Sequence, residues 1–253
     1  MTHFTVLVRF EGDLATAKER VEQMLAPYDE NLEVAQYKHY YEKDEIKRMA
    51  EHYKIDLSDL KSLAENMKDW HGTEGGVDEK GLYYLSTYNP RSKWDWWSIG
   101  GRWSGRLILK RRAKGIKGEP GVFKNPTGID IAYLKDIDLE KMQQVRLEQH
   151  MQTWDEFIEK AEVGKDPGIE FWLSGVEEGD TLETFLARAG KDAPISACAV
   201  LDELGWHEPA KMGWWGIDYD RTEDEETWNS KFAERFLSNP TPNTIVAMVD
   251  CHI

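Results

Sequence analysis

Apolar and polar residues alternate along the first strand-like stretch. In "HFTVLVRF" (residues 3–10) Phe4, Val6, Val8 and Phe10 fall on one side of an extended chain, as in a half-buried strand. The period then changes. In "GDLATAKERVEQMLAPY" Leu14, Ala17, Val21, Met24 and Leu25 share a helical face, Asp13 is placed to cap it and Pro27 ends it. Residues 42–71 predict two helices. Ile46, Met49, Ala50 and Tyr53 form the stripe of the first; the second starts at Asp56 or Ser58, buries Leu60, Leu63, Ala64 and Met67, and closes at Gly72. "LYYLSTY" (82–88) reads as a strand and "RWSGRLILK" (102–110) as its hairpin partner, which makes the tryptophan-rich segment between them a connection hinged at Gly100 and Gly101. The Gly- and Pro-rich residues 110–128 read as an exposed, mobile loop. The longest helix is expected over 139–162, with Met142, Val145, Trp154, Ile158 and Ala161 inward. A short helix near 181–189 follows, then a hairpin over 195–209 turning at Glu203–Gly205. A helix over 224–237 with Trp228, Phe232 and Phe236 inward and a strand over 243–253 close the chain.

Strand–helix at the start, a hairpin in the middle and helix–strand at the end predict an α+β fold. The expectation is a single domain over 1–253 with a ferredoxin-like antiparallel sheet core and large helical insertions. One insertion is helical, at about 42–72; the other is the basic loop plus long helix at about 110–163. In such a core the first and last strands are antiparallel neighbours, which brings His3 close to His252.

Charge changes the picture more than composition does. The net charge is −15, unevenly distributed. Residues 1–80 carry 11 Lys/Arg against 18 Asp/Glu, residues 81–128 carry 10 against 2, and residues 129–253 carry 11 against 27. A +8 island thus lies between segments of −7 and −16. The overall field disfavours non-specific DNA binding, while a local anion site, or a contact with an acidic patch of another subunit, fits the island. Apolar runs are far shorter than the roughly 20 residues that span a bilayer, so no membrane association is expected. "MTHFTVLVRFEGD" lacks a basic leader ahead of a long apolar segment and reads as a strand, not a secretion signal. Cys198 and Cys251, in apolar strand-like contexts, are expected as buried free thiols, and the cytoplasm as the compartment.

The island contains "SKWDWWSIGGRWSGR" (92–106), with four of the eleven tryptophans. Trp94 and Trp96 share one face of an extended chain, Asp95 and Trp97 the other. Packing in a core, with Asp95 ion-paired, is one reading. A ligand site is the other: an indole floor from Trp94, Trp96 and Trp103 beside Lys93, Arg102 and Arg106 would suit a purine and its phosphate. "MGWWGIDYD" (212–220) repeats the theme; Trp214 and Trp215 are expected to close the same pocket, and Asp218 and Asp220 could supply a metal ligand or a base. In "VDCHI" Asp250 and His252 share a strand face. With His3 alongside, they suit a divalent metal or acid–base work, or form a structural ion pair. His207 could join either site. No phosphate-loop, nucleophile-elbow, zinc-protease or dinucleotide fingerprint is present, and Cys198 has no local basic partner in the sequence.

The blocks "HFTVLV", "APYDENLEV" (26–34), "SKWDWWSIGGRWSG", "MGWWG" and the terminal "VDCHI" resemble a group of proteins encoded by tailed bacteriophages, in order along the chain, with 110–190 much less similar. The resemblance implies phage origin, expression in a bacterial cytoplasm and an accessory role such as nucleotide metabolism, takeover of a host factor or counter-defence; it assigns no reaction. Three functions therefore stand side by side. The first is a Trp/Arg-lined pocket for a nucleotide-type anion, with or without hydrolysis by Asp95, Asp250 and His252, with a divalent metal as the cofactor such chemistry would use. The second is an acidic, non-enzymatic protein that binds a host factor through "DYDRTEDEE". The third is a structural or assembly protein whose tryptophans form a dimer interface.

Overall fold

The computed structural model describes residues 2–71, 74–120, 129–162, 175–177, 179–212, 218–219 and 221–253. The chain divides into two compact units, one of residues 1–27 with 93–253 and one of 28–92. It has mixed helices and strands with largely antiparallel sheets, an α+β architecture.

The smaller unit carries β2 (Tyr37–Tyr40), α2 (Lys43–Tyr53), α3 (Leu60–His71), β3 (Gly75–Asp78) and β4 (Gly81–Ser86), after β1 (His3–Glu11) and α1 (Ala17–Leu25) of the larger one. Its strands form an antiparallel sheet in the order β2–β4–β3. A reciprocal cap between Glu42 and Glu45 starts α2. Met49, Ala50, Leu63, Ala64 and Leu82 make its core. The expected insertion at 42–72 lies within this unit, which adds a sheet to the helices.

The larger unit continues with β5 (Trp96–Gly101), β6 (Gly115–Lys117), β7 (Glu119–Pro120), β8 (Ile129–Tyr133), α4 (Leu139–Glu162) and α5 (Leu182–Lys191). It ends with β9 (Ala199–Asp202), β10 (Gly205–His207), β11 (Lys211–Met212), β12 (Asp218–Tyr219), α6 (Glu225–Phe232) and β13 (Thr244–His252). Its main sheet has the order β10–β9–β1–β13–β5–β7, with β8 also beside β13 and β6 beside β8. β13 is central because "TIVAMVDC" is buried on both faces. Its nine residues are long enough to pair with β5 over Val249–His252 and with β8 over Ile245–Ala247 on the same edge. β1 and β13 are antiparallel with His3 opposite His252, as the sequence predicts; β1 is parallel to β9 on its other side. The hairpin turning at Glu203–Gly205 is present as β9–β10.

The sheet's two faces are both covered. Leu7, Val200, Val246 and Met248 pack with Met142, Trp228, Phe232 and Phe236. The alternate residues Phe4, Val6, Val8, Val249 and Cys251 are also buried, as are Ala17, Val21 and Leu25 of α1.

Several expectations are corrected. Trp96–Gly101 is itself a strand in the main sheet, and β4 pairs with β2 and β3, so 82–88 and 102–110 are not hairpin partners. Beyond Gly101 the chain turns, and isolated bridges at Leu107 and Leu109 join it to Ile129 and Ile137. The described part of the supposed loop 110–128 pairs through β6 and β7, because Gly115 and Gly118 fit against neighbouring backbone where a side chain would not. On α4, Met142 is buried but Ile158 is exposed. Cys251 is buried as expected, whereas Cys198 is exposed.

Candidate functional site

Two buried aspartates organise the tryptophan-rich segment. Asp130, on β8 and 0 % exposed, accepts hydrogen bonds from the Ser104 hydroxyl (2.8 Å), the Gly105 amide (2.8 Å) and the Gly118 amide (2.9 Å). Asp250, on β13 and 1 % exposed, accepts from the Arg102 amide (2.9 Å) and is bonded to His3 Nδ1 (2.8 Å). The glycines are the complement of these carboxylates. Gly100 has φ +81°, and a Cβ there would lie 2.7 Å from Asp130 Oδ2. Gly101 has φ +51°, and its Cβ would overlap the Asp250 side chain. "GGRWSG" is thus a turn wrapped around two carboxylates, and the turn sets where Arg102, Trp103 and Arg106 go.

The predicted ligand-binding residues separate into groups. Trp94 is 6 % exposed, donates Nε1–H to the Leu25 carbonyl (3.3 Å) and meets Trp97 edge to face, so it is a packing residue. Lys93 is ion-paired with Glu208 (2.5 Å). Arg102 is exposed, and its amide is bonded to Asp250. Trp96 is 48 % exposed, with its ring centre 5.9 Å from that of His3. Trp103 and Arg106 come together, lining a cavity of about 320 Å³ with Thr5, Cys198, Arg221 and Trp228. Arg106 also lines a second cavity, of about 510 Å³, with Ser104, Arg146, Gln149, His150 and Ser196. Trp214, Trp215 and Asp220 lie outside the described residues, as does the side chain of Asp218.

Arg106 is exposed to solvent in the cleft and has no hydrogen bond or ion pair among the described residues. Protein crowding around its guanidinium, and then repulsion from Arg146, lower its pKa from the ordinary arginine value; the Cys198 thiol acts in the opposite sense. Cys198 therefore does have a basic neighbour, supplied by the fold from 92 residues earlier in the chain. Arg146 is partly satisfied, by the Ala193 carbonyl (2.9 Å) and by Asp192, while its Nε is buried without a hydrogen-bond partner among the described residues. His150 Nδ1 bonds to the Arg146 carbonyl (2.8 Å). A third cavity, of about 650 Å³, is lined by Trp206, His207, Glu208, Glu223 and Arg235 among others. There Arg235 grips Glu223, His207 bonds Asp202 and Glu208 bonds Lys93, so opposite charges are already matched.

The predicted catalytic residues form a cluster on the same sheet face. Cross-strand register puts His3, His252 and Trp96 in one row and Thr5, Asp250 and Ser98 in the next. His252 Nδ1 bonds to Asp95 (2.6 Å), and the His3 and His252 ring centres are 4.9 Å apart. Thr5 lines the smaller cavity, and His3 lies two residues away, about 7 Å along the strand.

Asp130, Arg146 and His150 were not singled out from the sequence. "GIDIAY" carries no motif, and Arg146 and His150 are one turn apart on a helix whose neighbours the sequence does not reveal. Among the described residues no group of three or more His, Cys, Asp or Glu is placed to hold a metal ion, and no helix is long and apolar enough to cross a membrane. Comparison with protein-family models, curated proteins and solved structures gave no match. The class the chain defines is therefore architectural: an α+β protein whose cation-lined cleft is held by two buried aspartates.

Proposed function

We propose that this chain is a phage-encoded accessory protein of the bacterial cytoplasm that binds a small anionic ligand of nucleotide type in the adjoining cavities at Arg106. The observation that carries the reading is Arg106 itself, a guanidinium with no ion pair among the described residues, set beside Arg146 and shared by two cavities, the smaller of which Arg221 and Glu225 also line. Repulsion between the two cations is relieved by an anion. The cavity volumes, about 320 and 510 Å³, fall in the range of small-molecule sites. Trp103 supplies an indole for a base, and Ser196 and Gln149 supply a hydroxyl and an amide for phosphate oxygens. We read the sheet that holds the site as a ferredoxin-like variant, a reading supported by the antiparallel β1–β13 pair and the β9–β10 hairpin alongside β1.

The test is a thermal-shift screen with nucleotides, cyclic nucleotides, dinucleotides and inorganic phosphate, on wild type and Arg106→Ala. A ligand that binds only the folded state raises its melting temperature. A charge-assisted hydrogen bond contributes about 1.5–3 kcal/mol, so Arg106→Ala should weaken binding about 10- to 150-fold. Arg102→Ala should have a smaller effect, because Arg102 is anchored through its backbone. Bound ligand should also protect Cys198 from thiol reagents, since Cys198 lines the smaller cavity. A panel in which nothing shifts wild type, or in which Arg106→Ala shifts equally, would reject the reading.

A further inference from the structure

His3 and His252 stand directly opposite each other on the two central strands, a rigid platform. Each ring has its own carboxylate: His3 Nδ1 meets Asp250 Oδ1 at 2.8 Å, and His252 Nδ1 meets Asp95 Oδ1 at 2.6 Å. A carboxylate only accepts, so these contacts place the imidazole proton on Nδ1 and the lone pair on Nε2. The carboxylates are fixed in turn. Asp250 is buried and also accepts from the Arg102 amide, and the Asp95 amide donates to the His252 carbonyl (3.0 Å). Neither Nε2 has a hydrogen-bond partner among the described residues.

Two neighbouring imidazoles, each steadied by a carboxylate at its far nitrogen, are how proteins prepare histidine for a metal. The spacing agrees. An ion about 2.0–2.1 Å from each Nε2 lies roughly 3.2 Å from each ring centre. Ring centres 4.9 Å apart lie within the roughly 6.4 Å that one ion shared by two such nitrogens can span. The rings meet edge to face, at an interplanar angle of 70°. We propose that His3 Nε2 and His252 Nε2 chelate one divalent transition-metal ion, of the zinc, nickel or copper kind, with water completing its coordination. Asp95 and Asp250 are not ligands; they position the two rings. Nitrogen donors select these ions over magnesium and calcium, which prefer oxygen. This inference does not depend on the anion site at Arg106.

Trp96 provides an optical readout, because its ring centre is 5.9 Å from that of His3 and bound copper or nickel quenches a neighbouring indole. The full chain, without a histidine tag and in a Cys198→Ser background, is titrated with Cu²⁺, Ni²⁺, Zn²⁺ and Mg²⁺ while tryptophan emission and dialysed metal are measured. One ion per chain is expected, tightest for Cu²⁺, with no competition from Mg²⁺. His3→Gln and His252→Gln should each lose at least tenfold in affinity. Asp95→Asn should lose about 10- to 100-fold while leaving both ligands in place. Trp96→Phe should lose most of the quenching yet still retain one ion by dialysis. Melting in EDTA reports whether each variant is folded, and Asp95→Asn keeps the test alive if a histidine variant is not. Arg106→Ala should bind metal normally, which separates this inference from the anion reading. Unchanged affinity in both His252→Gln and Asp95→Asn, or equal competition by Mg²⁺, would overturn it.

Discussion

Replacing Asp130 with alanine removes the acceptor for three donors at once: the Gly105 and Gly118 amides and the Ser104 hydroxyl. The site is fully buried, so water does not simply take the place of the carboxylate. Each stranded donor costs about 1–3 kcal/mol. Partial relaxation holds the total to about 3–5 kcal/mol, the lower part of the sum for three stranded donors. For a unit of this size 1 kcal/mol shifts melting by about 2–4 °C, so a fall of about 6–20 °C is expected. Because the chain forms two compact units, the fall belongs to the transition of the larger one. Asp130→Asn preserves shape but sets an NH₂ group against at least one donor, and should lie between wild type and alanine. Calorimetry on the three proteins is the assay. Asp130 also places Gly105, the residue before Arg106, so ligand affinity should fall with stability. An Asp130→Ala protein melting within about 2 °C of wild type would refute the account of the turn as a shell around a carboxylate.

Other predictions follow from the same geometry. Gly101→Ala should cost at least about 2 kcal/mol, since the left-handed backbone alone costs about 1–2 kcal/mol and the new methyl meets Asp250. Gly190→Ala, in α5 with no atom within 4 Å of the added methyl, should instead stabilise by up to about 1 kcal/mol in thermal melts. In the native protein a thiol reagent should modify Cys198 and spare Cys251, whose burial pushes its pKa up; both should react in denaturant. The Asp78 carboxyl is held down to about 2, first by its hydrogen bond from Lys38 and then by the Lys80 amide. The stability it contributes is present above the ordinary carboxylate pKa of about 4 and is lost as pH falls towards about 2. A carbon NMR titration that found Asp78 titrating near pH 4 would contradict this.

What the sequence determined by itself was local. Alternation in "HFTVLVRF" specifies β1, and the Asp13 side chain accepts from the Ala15 amide at the start of the helical segment, as its position implies. The stripe of Trp228, Phe232 and Phe236 is buried, and the turn at Glu203–Gly205 forms its hairpin. The continuous apolar run at the end becomes a strand covered on both faces, and the order of elements was enough to set His3 beside His252. These features depend on periods of two or 3.6 residues and on turn chemistry, all written within a few positions. The tertiary structure decided the rest. In the sequence β5 resembles a connection, because its partner, β13, lies about 150 residues later and its last two glycines look like a hinge. Those glycines serve buried carboxylates on β8 and β13, a relation that exists only after three distant segments converge. The same convergence separates tryptophans that are adjacent in sequence: Trp94 into packing, Trp96 towards the histidines, Trp103 into a cavity. It pairs Lys93 with Glu208 and leaves Arg106 without an ion pair among the described residues. Residue type limits what a side chain can do, but burial and partners are set by long-range packing, and they decide which of those capacities is used.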